Sequence, residues 1–454
     1  MMQVWKRLLE LLLIGAGYIG YLPYGNIAGV EYAGGDAYIE PVFADWGSQV
    51  TPSVGTVCFP FFSVEFQDVK YTSDKASQEE LTEWIFTGED SVAAYYEEAS
   101  YGRLHLEGDV YTYTAQGTIT SYEDNTGYER LIMEVLTYFD DEVDYSRYDA
   151  NGDNVIDAVV ISVPSGGDVD FWWAFQLNWY QNPDFTVDGL SVMNYVVNDE
   201  QPYEQIKDTY KSTLEHELGH CMGIPDLYKY DAERSWEGME GIAGIERMDE
   251  SSGDFSQFTK LQLGWLRREQ VMVMPPHAQS VSYLLPPAHE GGCILIFPEG
   301  KTADFQSEYL LIEYNMSAGL MADVISEAQA GVRILHVCAD IMEDMDGYYY
   351  RYENYSPYYD HSDEGRRLLS LVNDRKFYHT GDIVSYERTG GAEGKFGWYS
   401  GRKEVADPQL AVYIGEVRDD GIEIRIERGV TEDMLPEIQQ GNGGGLRLQQ
   451  NGDN

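Results

Sequence analysis

The stretch His216-Glu217-Leu218-Gly219-His220-Cys221-Met222-Gly223-Ile224-Pro225-Asp226 decides how this chain is read. Two histidines four residues apart on a helix project from one face, so both imidazoles reach a single ion at the ~2.0–2.1 Å of a zinc–nitrogen bond. Glu217 stands beside them, placed to take a proton from a metal-bound water whose pKa the ion lowers to about 7. Gly223 lets the chain turn sharply at the helix end, and Pro225 keeps the helix from resuming. That turn brings Asp226 back toward the ion as a third ligand, with a carboxylate oxygen at ~2.0–2.2 Å. Three protein ligands leave a position open for water. H-E-x-x-H alone arises often by chance, but the longer string joins helix, breaker and third ligand in the order that peptide-bond hydrolysis needs.

Residues 203–221 read as the helix that delivers the histidines. Upstream, the aromatic run 57–66 is a buried strand ended by Gln67-Asp68, and residues 91–99 have helix-forming composition that stops before Tyr101-Gly102. Residues 158–163 are a second buried strand, so strand and helix open an α/β unit. From about Gln270 the pattern changes to short apolar runs at 293–297, 309–314 and 332–337 separated by turn residues, which predicts a mainly β region. The expected organisation is an apolar leader over 1–28, a linker or short pro-segment over 29–56, an α/β domain with a mixed sheet and the active-site helix over 57–270, a β-rich domain over 271–430, and a polar tail over 431–454 expected to be disordered.

Composition narrows the partners. The 454 residues include 78 acidic against 30 basic ones, a formal net charge of -48, with 43% hydrophobic residues. Such a surplus repels phosphate backbones and anionic lipid, so nucleic acid is excluded as an expected partner, and it favours solubility and loading with divalent cations. Lys6 and Arg7 followed by the apolar run 11–22 read as a signal peptide, too short for the ~20 apolar residues of a membrane span. A secreted, extracellular protein is therefore expected. Cys58, Cys221, Cys293 and Cys338 lie too far apart for a zinc ribbon or a dense disulfide framework.

The motif, with Leu227-Tyr228 after it, resembles that of the immune inhibitor A family of bacterial secreted metallopeptidases, H-E-x-G-H-x-L-G-L-P-D-x-Y, with Met222 and Ile224 as apolar departures. Residues 91–104, Glu65-Phe66-Gln67-Asp68, Met248-Asp249 with Gly253-Asp254, Lys260 to Trp265, Glu308 to Tyr314 and Gly331 to Val337 are similar to further segments of that family; Cys338 replaces its usual Asp. The resemblance spans residues 57–428. It implies a zincin fold and zinc-dependent endopeptidase activity on extracellular proteins, with Asp226 where metzincin-type sites place the third ligand and Met248 forming a turn beneath the ligands. Arg247 departs from the aromatic or acidic residue such a turn would carry.

A second metal is expected at Asp149, Asn151, Asp153, Val155 (through its carbonyl) and Asp157, whose alternate spacing matches the first half of a calcium loop. Asn154 takes the glycine position and tolerates a left-handed backbone. Position twelve is Val160, so the bidentate glutamate is missing; the competing reading is a polar turn. Three further points stay open in the sequence. His336, in an alternating strand, reads as structural. Tyr348 to Tyr352 with Tyr355, Tyr358 and Tyr359 can stack on sugar or peptide or be half-buried surface. Asp360, His361 and Asp363 are either a metal site or a polar loop. The alternative to a peptidase is a catalytically silent peptidase-like surface module that binds protein or glycan; the intact Glu217 argues against it.

Overall fold

The computed structural model describes residues 38–42, 50–168, 171–228, 242, 244–301, 304–344, 347–352 and 366–436. The leader, Tyr355, Tyr358, Tyr359, Asp360, His361, Asp363 and the tail beyond 436 lie outside these. The fold is mixed α/β with several sheets and few helices.

The first sheet is built on β1 (Gly55–Glu65), whose apolar run has no polar alternation because both faces are covered. Val57, Phe59 and Phe61 enter one core, while Phe62 and Val64 enter another. Helix α1 (Val92–Ala99) starts where Ser91 accepts a hydrogen bond from the Ala94 N–H and stops where Tyr101 and Gly102 turn left-handed, at φ 56° and 76°. It leads into β2 (Leu104–Thr114), parallel to β1 along its whole length. Helix α2 (Gly127–Phe139) covers the far face of the sheet. The sheet is completed by β3 (Val159–Ser162), β4 (Phe175–Asn178) and β5 (Asn194–Asn198), in the order β2-β1-β3-β5-β4; β4 is an edge strand and, among the described residues, the sheet's only antiparallel member.

Helix α3 (Lys207–Cys221), preceded by a 3-10 turn at Glu204–Ile206, lies under this sheet. Tyr210, Leu214, Leu218 and Cys221 recur at helical spacing and enter the core, which leaves the other side to His216 and His220, with Glu217 between them and the core stripe. Short helices α4 (Arg247–Glu250) and α5 (Gln257–Gln262) follow.

From β6 (Val271–Val273) onward the chain is β-rich. β7 (Ser280–Leu285), β8 (Cys293–Ile296), β9 (Glu308–Asn315), β10 (Gly331–Cys338), β11 (Leu369–Leu371), β12 (Ile383–Ser385), β13 (Leu410–Arg418) and β14 (Gly421–Arg428) form two sheets, ordered β11-β10-β9-β8-β6 and β12-β13-β14-β7. They pack face to face through Ile294, Leu310, Ile312 and Ile334 against Val412, Ile414, Ile424 and Ile426. The other face of the β8–β10 sheet, with Leu295, Tyr309, Leu311 and Leu335, joins the core beneath α3. One apolar core therefore runs across residue 270.

Two segments differ from the sequence reading. Part of the linker expected over 29–56 is built into the body: Ile39 is buried, its N–H donates to Leu266 O at 3.0 Å, Val42 N–H donates to Gln262 O at 2.8 Å, and Thr51 N–H donates to Cys221 O at 2.8 Å. These contacts are tertiary, so no local period announces them. At the other end, residues 431–436 are tied down by Glu432, which pairs with Arg388 at 2.9 Å, rather than opening the expected tail. Among the described residues no helix is long and apolar enough to cross a membrane.

Candidate metal centre

Helix α3 ends as the motif requires. Met222 caps it, Gly223 turns at φ 90° with its N–H on His220 O at 2.8 Å, and the chain folds back so that Asp226 returns to the helix. His216 Nε2 lies 3.0 Å from Asp226 Oδ1, His220 Nε2 lies 3.3 Å from the same oxygen, and the two Nε2 atoms are 3.1 Å apart.

The other ring nitrogens explain what that triangle means. His216 Nδ1 sits 2.8 Å from Arg247 O, and His220 Nδ1 sits 2.7 Å from Ile224 O. A carbonyl only accepts, so each Nδ1 carries the hydrogen, and in a neutral imidazole each Nε2 then presents a lone pair. Two such lone pairs and a carboxylate oxygen facing one another repel unless a cation lies among them. The edges also match the roughly 3.3 Å that separates ligands bound tetrahedrally at ~2.0–2.1 Å. His216, His220 and Asp226 therefore fit a metal ion, and the two backbone carbonyls fix the tautomers that ligation needs.

Without a metal, a proton fills the same role. Burial alone would lower His220 and raise Asp226, but their mutual attraction outweighs it, so His220 is pushed up to about 9 and the Asp226 carboxyl is held well below the usual range. Glu217 is buried beside them; burial raises its carboxyl, and the imidazoles His220 and His216 hold it back only in part.

The centre floors a cleft of about 400 Å³ lined by Tyr128, Trp173, Phe175, Gln176, Leu177 and Tyr228 as well as the motif residues. Edge strand β4 forms one wall, and its Gln176 lines the cleft together with Glu217. Trp173, Leu177 and nearby Tyr180 are among the few large hydrophobic side chains that stay exposed. Apart from Tyr228, which follows the motif, none of these wall residues was found from sequence. A four-residue strand is too short to show a period, and its pairing partner β5 fixes its place.

Met248 is fully buried beneath α3; a Cβ on Gly219 would lie 2.5 Å from its sulfur, so the helix and this segment are in direct contact. The segment also supplies Arg247 O to His216 and Met248 O to the Leu227 N–H at 2.8 Å. Arg247, unexpected in sequence, turns inward: it pairs with Glu215 at 3.0 Å, donates to Tyr95 Oη at 3.0 Å and to Gly253 O at 2.9 Å, and lies over the Tyr95 ring. A buried charge is thereby paired, with Glu215 one residue before the ligand His216 and Arg247 itself supplying the carbonyl that meets the His216 ring.

The acidic loop is arranged otherwise. Asp149 accepts hydrogen bonds from the Gly152, Asp153 and Asn154 N–H groups, Asp153 from Val155, and Asp157 from Ala150. Asn154 is left-handed, at φ 66°, as its position requires. Among the described residues, clusters of three or more closely spaced ligand side chains occur at His216, His220 and Asp226 and at Glu308, His336 and Cys338, and the carboxylates of the acidic loop do not form one. The tyrosine run is partly interior, with Tyr350 and Tyr352 buried. No protein-family model matches the chain, and no curated protein matches it.

Proposed function

We propose that the chain is a zinc-dependent endopeptidase of the zincin type, with His216, His220 and Asp226 holding the ion and Glu217 as general base. The observation that carries this reading is the convergence of three lone-pair atoms at the floor of an open cleft, beside a buried carboxylate. Zinc bound there would supply Lewis acidity, lowering the pKa of water and polarising a carbonyl.

The remaining work falls to the chain's own groups. As an edge strand, β4 offers backbone donors and acceptors to an extended polypeptide, which would lay the scissile bond across the cleft. Glu217 takes the proton of the attacking water and later gives it to the leaving amine nitrogen. Its raised pKa suits both halves of that exchange. Arg247 O and Ile224 O hold the rings. Extracellular proteins are the proposed substrates, and calcium in the loop at 149–157 is proposed as a stabilising ion.

The test is hydrolysis of casein by the purified chain before and after a zinc chelator. Activity should disappear with chelation and return with added zinc. Undiminished cleavage in chelator would sink the reading, and a chain that binds no zinc at all would favour the silent surface module.

A further inference from the structure

A second set of metal-ligand side chains lies far along the chain from the cleft. Strands β9 and β10 pair antiparallel with Glu308 directly opposite Cys338, and His336 stands two residues before Cys338 on the same face. Sheet register alone therefore brings a carboxylate, an imidazole and a thiol together, and one ligand atom from each lies within 4.8 Å of the others. His336 and Cys338 are buried, and Glu308 is nearly so.

Further along the strands the same face carries Leu310, Ile312, Val332 and Ile334, which make up the apolar space between the two sheets. Tyr352, Tyr399 and Val405 pack against Cys338. A polar trio in such surroundings calls for a reason. Part of it is local: Glu308 accepts from Tyr399 N–H and Ser400 N–H, and His336 Nε2 lies 3.1 Å from Glu308 Oε1. This accounts for the carboxylate and one ring nitrogen. It leaves the thiol, which forms no disulfide and makes no hydrogen bond among the described residues.

We propose that Glu308, His336 and Cys338 form a second metal site for a divalent transition ion, zinc fitting best, with three protein ligands and one open position. One sulfur, one nitrogen and one oxygen donor is a zinc-type set, whereas calcium and magnesium take oxygen alone. Ligands around zinc stand roughly 3.3–3.8 Å apart, so the trio closes on an ion with small side-chain shifts. The ion would tie β9 to β10 and to the turn at Tyr399, next to the inter-sheet core. The site is independent of the peptidase reading.

Sulfur makes it separable from the cleft, whose ligands are nitrogen and oxygen. The full chain carrying His216→Ala and His220→Ala should still bind one metal equivalent, and loaded with cobalt(II) it should show a thiolate-to-metal charge-transfer band. In that background Cys338→Asp, which offers oxygen in place of sulfur, should keep the ion and lose the band, while Cys58→Ser should keep both. No bound metal in the double variant, a cobalt spectrum without the sulfur band, or a band that survives Cys338→Asp would each overturn the proposal.

Discussion

The helix end at 216–226 and the loop at 149–157 are both short runs of ligand-type residues, yet their hydrogen bonds are arranged in opposite ways. In the first, backbone carbonyls occupy the Nδ1 side of both imidazoles and so turn the remaining lone pairs toward each other and toward Asp226. In the second, backbone N–H groups of the loop itself occupy the carboxylates, and the turn closes without help. Ligand spacing is the same kind of signal in both places. What separates them is which lone pairs the fold leaves pointing at one another. A cation would complete the first arrangement and would only add to the second.

The sharpest way to break this contrast is to remove what holds the first arrangement from behind. Arg247→Ala strands the buried Glu215 carboxylate and frees the segment whose carbonyl orients His216. It should cost about 3–5 kcal/mol in denaturant unfolding and weaken zinc binding as well. A variant with unchanged stability would show that the pair is not part of the site's support. Gly219→Ala probes the same support from the helix side, since its Cβ would lie 2.5 Å from Met248 Sδ. The expected loss is about 1–3 kcal/mol from overpacking, with part of it recovered when Met248 is shortened to Val.

The loop should respond least. Because it closes on its own N–H groups, calcium is expected to add only about 1 kcal/mol at a concentration about fivefold above Kd, read as a small rise in Tm that Asp153→Ala removes. An identical melting curve with and without calcium would make the loop a polar turn and sharpen the contrast further.

How much of this was legible beforehand follows from how local each feature is. The spacing of His216 and His220, the turn at Gly223 and the return of Asp226 are consecutive in sequence, so helix period and breaker residues predict them. The β-rich region was visible because β8, β9 and β10 each carry their own apolar run. By contrast, β4 reaches the cleft only through its pairing with β5, and the Arg247–Glu215 pair joins residues 32 positions apart. Residues 38–42 dock on 262–266 without any local pattern. The cluster at Glu308, His336 and Cys338 is set by strand register, which the alternation along β10 alone does not give; from that alternation His336 reads as a structural residue.

The most direct test of the central claim separates holding the ion from using it. In Glu217→Gln the three ligands are intact and only the base is lost. The variant should retain about one zinc in the cleft while casein hydrolysis falls by about 100- to 10,000-fold. Full zinc retention with undiminished hydrolysis would contradict the assignment of Glu217, and loss of the zinc together with the activity would contradict the ligand set.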